Sequence, residues 1–377
     1  MTAVHVSPGL LRWACARSRI DPLTLRRRFR DVEAWERGEK QPTLKQLESF
    51  ARATHVPFGY LFLPEPPDEP LPLADFREKA PGPPSGDLLD TIYAVQRRQD
   101  WFAEYARTER LEPVTWVGSA TLTTSPAMTA ARLRTMLGFE SEARRAFAGW
   151  EAATKALVER LQAAGVLVSV NGVVGASTRR KLDPTEFRGV SLVDELAPCI
   201  FINGADHKAA HAFTLCHELA HLTLARPGLS NEHVGERRHE QVEAWCDAVA
   251  SEFLAPSEQV TVVRDDAGAE RAARDLTRAW RVSPLVAVRR IAERADRPEQ
   301  VLARRYDAAL AALPAPRRGG GGDYCAMALK RVGHRFAREI IASTLEGTTT
   351  YSESFHLLGV RRSATFEELA RRVGLAS

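Results

Sequence analysis

Between Pro64 and Pro84 the chain carries eight prolines, in the runs PEPPDEPLPL and APGPP. Proline donates no backbone hydrogen bond and fixes its own φ, so such a stretch sustains neither a helix nor a sheet ladder. It reads as an extended linker. A chain of 377 residues already exceeds what one hydrophobic core usually organises. The linker therefore divides it into a short N-terminal unit and a much longer one behind.

Ahead of the linker, residues 6–63 read as five short helices. Ser7-Pro8 and Asp21-Pro22 each pair an N-capping residue with proline at the first helical position. Residues 31–37 form a third helix, stopped by Gly38. Pro42-Thr43 opens a fourth, with Leu44, Leu47, Phe50 and Ala51 spaced for one buried face. Pro57 begins a last apolar turn. From Arg12 to Arg30 there are seven arginines against one acid, Asp21. Five helices in so short a span, with a basic second helix, is the layout of a helix-turn-helix domain. Arg26, Arg27, Arg28 and Arg30 are the candidate DNA contacts. A solvated basic face is the competing reading, and Glu33, Glu36 and Glu39 nearby would repel phosphate.

The remainder is divided as follows. Residues 1–64 form the helix-turn-helix domain, 65–86 the linker and 87–150 a helical connecting region, with helix expected to run on to about residue 164. Residues 151–265 alternate short apolar strands (166–170, 187–192 and 199–202) with two helices near 208–225 and 237–254. Residues 266–312 are a helical pair turning at Val282-Ser283-Pro284, either a second helix-turn-helix or a packing pair. Residues 313–377 are helical after the joint Gly319–Gly322. The fold class is α+β, mostly helical.

The chemistry concentrates in Cys216-His217-Glu218-Leu219-Ala220-His221, an H-E-x-x-H pattern. Residues four apart share a helical face, so both imidazoles can reach one metal ion. Glu218 lies about 100° round the helix from His217, beside the ligand face, where it can take a proton from an attacking water without ligating. Ten histidines and 48 acids in this length would produce the pattern by accident about 0.03 times, even with every acid counted as glutamate. Catalytic zinc takes three protein ligands and keeps one position open. The next helix offers Glu240, Glu243, Asp247 and Glu252 for the third; Glu243 and Asp247 stand one turn apart on the same face.

Residues 186–256 resemble the ImmA/IrrE zinc metallopeptidases. The likeness rests on Glu186-Phe187-Arg188-Gly189, on Phe201-Ile202-Asn203, on Phe213-Thr214-Leu215 ahead of His217-Glu218, on Glu243 four residues before Asp247, and on Phe253-Leu254-Ala255-Pro256. It implies a zincin-like peptidase domain with a small sheet, one Zn2+ per chain on His217, His221 and Glu243, and Glu218 as general base. Asp247 stands where the family usually has asparagine; an acid there either orients a ligand from behind or competes as one. Residues 8–77, with Trp35-Glu36-Arg37-Gly38, Leu61-Phe62-Leu63-Pro64 and Asp75-Phe76-Arg77, resemble the Xre-type helix-turn-helix fused ahead of such peptidases. The implied substrate is a regulatory protein, an Xre-type repressor in a stress or mobile-element response. A DNA-binding transcriptional regulator, or a toxin–antitoxin-like component, with a regulatory or idle metal site is the alternative.

Five cysteines, odd in number and without a CxxC pair, fit reduced thiols better than a disulfide framework. Cys216 and Cys246 beside the site are either oxidation-sensitive or small buried apolar residues. With no run long enough for a membrane span and no secretory signal, the expectation is a cytoplasmic protein without a membrane partner. His207, His211, His233 and His239 have no ligand spacing to the motif and read as packing or surface residues. Nothing in the sequence places Tyr324 near the site.

Overall fold

A computed structural model describes residues 3–71, 84–226, 228–230, 241–263, 266–294 and 323–376, with positions 305, 308, 309, 311 and 312. These divide into two compact units, one of residues 3–71 and 84–91, the other of residues from 92 onward. Linker residues 72–83, with Asp75-Phe76-Arg77 among them, His233, His239, Glu240 and the glycine joint lie outside the described residues.

The first unit holds α1 (Pro8–Ser18), α2 (Pro22–Arg28), α3 (Val32–Arg37), α4 (Leu44–Thr54) and a 3-10 turn (Phe58–Phe62). Their starts follow the capping chemistry. Asp21 accepts from the Thr24 amide, and Thr43 with Gln46 closes a reciprocal capping box. Gly38 ends α3 in the left-handed region at φ 76°. Leu10, Leu11, Leu47 and Leu61 pack round an aromatic cluster in which Phe50 meets both Phe29 and Trp35 edge-on. The start of the proline-rich stretch is pinned: Glu69 takes a bidentate pair from buried Arg17, at 2.6 and 3.0 Å.

In the second unit the helix expected to run to residue 164 is broken. Helix α5 (Gly86–Thr108) gives way to turns at 109–125, and α6 (Pro126–Met136), α7 (Ser141–Arg145) and α8 (Trp150–Ala163) follow. Pro113 lies in the break, and Gly118 adopts φ 68°, which a continuing helix would not allow. A four-stranded sheet is next, in the order β1 (Leu167–Asn171), β3 (Cys199–Asn203), β2 (Gly189–Leu192), β4 (Gly228–Ser230). β1 and β3 run parallel, and the other pairings are antiparallel. The edge strand β4 was not anticipated; three residues are too few to show an alternation.

Helix α9 (Lys208–Thr223) is buried from Ala209 through Thr223, and packs on the sheet and on α10 (Gln241–Leu254). Helices α11 (Asp266–Trp280) and α12 (Pro284–Ala292) enter the same core through Leu276, Trp280, Val286 and Ile291. This packing gives the pair a place in the core. Ser283 caps α12 and donates to the Ala209 carbonyl at 2.6 Å, which fixes α12 against the start of α9. At its far end α10 is held by Arg144, which is fully buried and donates to the Leu254 carbonyl at 2.8 Å. A cation at a helix C-terminus is favourably placed. The C-terminal helices are α13 (Tyr324–Val332), α14 (His334–Leu345), α15 (Tyr351–Leu358) and α16 (Ser363–Arg372). Among the described residues no helix is long and apolar enough to cross a membrane.

Candidate metal centre

The tight packing of α9 on α10 brings three donor groups together. The Nε2 atoms of His217 and His221 lie 3.1 Å apart. Glu243 reaches His217 Nε2 at 3.2 Å through one carboxylate oxygen and His221 Nε2 at 3.0 Å through the other. All three side chains are buried, and one donor atom from each lies within 4.8 Å of the others.

Asp247 faces the other side of His217, its Oδ1 2.9 Å from Nδ1. In a neutral ring the single proton then sits on Nδ1 and is donated to Asp247, leaving the Nε2 lone pair turned toward His221 and Glu243. Burial works against charge on His217, but Glu243 and Asp247 outweigh it and hold its pKa well above the ordinary histidine value. Burial likewise opposes charge on Glu243, and His217 and His221 pull its carboxyl below the usual range. Lone pairs and a carboxylate converging in a dry site call for a positive charge among them. Two imidazoles and a carboxylate are a donor set zinc takes at about 2.0–2.2 Å, which in a tetrahedron separates ligands by about 3.3 Å. The Nε2–Nε2 separation of 3.1 Å is within a few tenths of that, and each imidazole has a Glu243 oxygen at a similar distance, so these residues fit a divalent ion.

Glu218 is fully buried one position along α9, outside the three-donor cluster. The carboxylate lies against Gly189 of β2: a Cβ there would meet Glu218 Oε1 directly and its Cγ at 2.8 Å. The residues before that glycine build the approach. Phe187 is buried and stacks on Phe201, and Asn203 at the end of β3 donates to the Phe187 carbonyl at 2.9 Å.

Sequence reading alone does not find Arg289. From α12 its guanidinium donates to Asp247 Oδ2 at 2.5 Å and lies 3.9 Å from the centre of the Phe213 ring. It balances the Asp247 charge and orients that carboxylate toward His217. Arg289→Met is expected to weaken divalent-metal binding by about 10–100-fold, with unchanged circular dichroism; Asp247→Asn, which keeps an acceptor oxygen for Nδ1–H, should lose less. Competition with a chromophoric chelator measures both, and wild-type affinity in Arg289→Met would remove the positioning role.

Cys216 and Cys246 are buried, and burial pushes the Cys216 thiol well above its usual range, so it stays protonated. His207 is exposed at the start of α9, and Tyr324 is half-exposed at the start of α13. In the N-terminal unit Arg26 pairs with Glu33 at 2.5 Å, while Arg27, Arg28 and Arg30 are exposed.

Residues 165–292 match the IrrE N-terminal-like domain of peptidase family M78. The match covers about a third of the chain, from just before β1 to the end of α12, and so takes in the donor cluster, Gly189, Asp247 and Arg289. The segment is therefore similar to a domain of metallopeptidase type. A second match, to a domain of unknown function (DUF8813), covers residues 332–372. No curated protein matches the chain.

Proposed function

We propose that this chain is a zinc-dependent endopeptidase, with His217, His221 and Glu243 holding one Zn2+ and Glu218 serving as general base. The convergence of two imidazole Nε2 atoms and a carboxylate in a buried site, inside an IrrE N-terminal-like segment, carries this reading. Zinc, when bound, polarises a scissile carbonyl and lowers the pKa of water to about 7.

The chain's own residues do the rest. Glu218 takes the proton of the attacking water on its carboxylate and returns it to the leaving amine. Gly189 leaves that carboxylate the room it occupies. Asp247, oriented by Arg289, keeps the His217 proton on Nδ1. The substrate we propose is an Xre-type repressor, cleaved in a stress or mobile-element response in the cytoplasm; this rests on the likeness to the ImmA/IrrE peptidases.

Metal analysis of purified variants tests the ligand set. Glu243→Ala is expected to lose most of its zinc and Glu218→Gln to retain it. Full occupancy in Glu243→Ala would overturn the assignment.

A second role belongs to the N-terminal unit. Two short helices joined by a turn at residues 29–31, with Arg27, Arg28 and Arg30 exposed, favour a DNA-contacting helix-turn-helix. Arg26 contributes less, because Glu33 already takes its charge. Loss of cellular function on substituting Arg26, Arg27 and Arg28, with Glu218→Gln harmless, would make this the principal role.

A further inference from the structure

A cavity of about 500 Å3 lies away from the three-donor cluster, between α8, the sheet, the first half of α9 and α13. That size falls among small-molecule sites, which run from about 300 to 1,000 Å3. Its walls are mainly apolar: Val158, Val168, Val170, Ile202, Leu215 and Leu329. Such a lining takes an apolar body.

The polar groups at its rim are unevenly matched. Lys155 is paired with Glu159 at 3.6 Å, both on α8, and Glu151 stands on the same helix. Lys208 of α9 and Lys330 of α13 also line the cavity, and among the described residues neither has an ion-pair partner. Burial and the neighbouring Lys208 hold the Lys330 ammonium below its usual pKa, so the two cations act on each other. His211 adds no charge at neutral pH: burial lowers its pKa to about 4, and its Nε2 faces the Asp206 carbonyl at 3.2 Å.

We propose that this cavity binds a small amphipathic organic anion, its apolar body against β1, β3 and α9 and its anionic head between Lys208 and Lys330. Two like charges at the mouth of an apolar chamber are complementary to one negative charge on an otherwise apolar molecule. Because the head is shared by α9 and α13, a bound ligand joins the C-terminal helices to the helix that carries His217 six residues beyond His211.

Decanoate is the probe, decanol its uncharged control, and calorimetric titration of the full chain the measurement. Decanoate is expected to bind saturably and at least 10-fold more tightly than decanol. Lys208→Gln with Lys330→Gln should remove that preference and leave decanol binding unchanged. Val158→Trp, a half-buried wall position on α8, fills the chamber and should abolish both. Equal affinity for the two probes, or decanoate binding that survives Val158→Trp with native circular dichroism, overturns the proposal.

Discussion

Glu218→Gln should slow cleavage of the proposed substrate by about 10²–10⁴-fold while leaving metal content at the wild-type level. The two side chains have the same shape, so the amide fits the buried space between α9 and Gly189 that the carboxylate occupies. What changes is proton affinity: an amide oxygen accepts a hydrogen bond but does not hold a proton at neutral pH. Glu218 lies outside the three-donor cluster, so replacing it leaves His217, His221 and Glu243 facing one another as before. The measurement is single-turnover cleavage of a purified Xre-type repressor, the proposed substrate, with zinc assayed on the same preparation. Unchanged cleavage would take proton transfer away from Glu218. Joint loss of zinc and cleavage would make it a structural or ligating residue instead.

How far the sequence could have led to this arrangement depends on how local each piece is. The H-E-x-x-H pattern is legible because the helical repeat alone puts His217 and His221 on one face. The third donor is not, because Glu243 and Asp247 are one turn apart and both face α9. The structure separates them by the atom each addresses: Glu243 lies at both Nε2 atoms, Asp247 at Nδ1 of His217. Arg289 is more remote still. It meets Asp247 across 42 residues, through a helix whose placement depends on the hydrogen bond of Ser283 to Ala209. No periodicity carries that contact. The N-terminal helices, by contrast, follow from caps and proline positions that act within one turn. The break after Thr108 shows the opposite case, in which apolar spacing on either side suggested continuity and Pro113 with Gly118 prevented it.

Gly189→Ala is the second large effect expected, because one methyl group there meets two parts of α9 at once. An added Cβ would run into the Glu218 carboxylate and come within 2.8 Å of Thr214 Cγ2. The conflict is one of space between strand and helix, and β2 cannot retreat freely because it pairs with β3 on one side and β4 on the other. Overpacking of this kind costs about 1–3 kcal/mol, read as a lower midpoint in urea with an unchanged slope. The effect on cleavage should be larger in proportion, since displacing a catalytic group by about 1 Å can cost 10²-fold. The double variant Gly189→Ala with Thr214→Ser separates the two contacts. Removing the Thr214 methyl relieves the helix-side clash, so stability should recover in part, whereas Glu218 stays displaced and cleavage stays slow. Recovery of cleavage in step with stability would mean that Gly189 serves packing alone; slow cleavage in a restabilised protein would tie the glycine to the position of the Glu218 carboxylate.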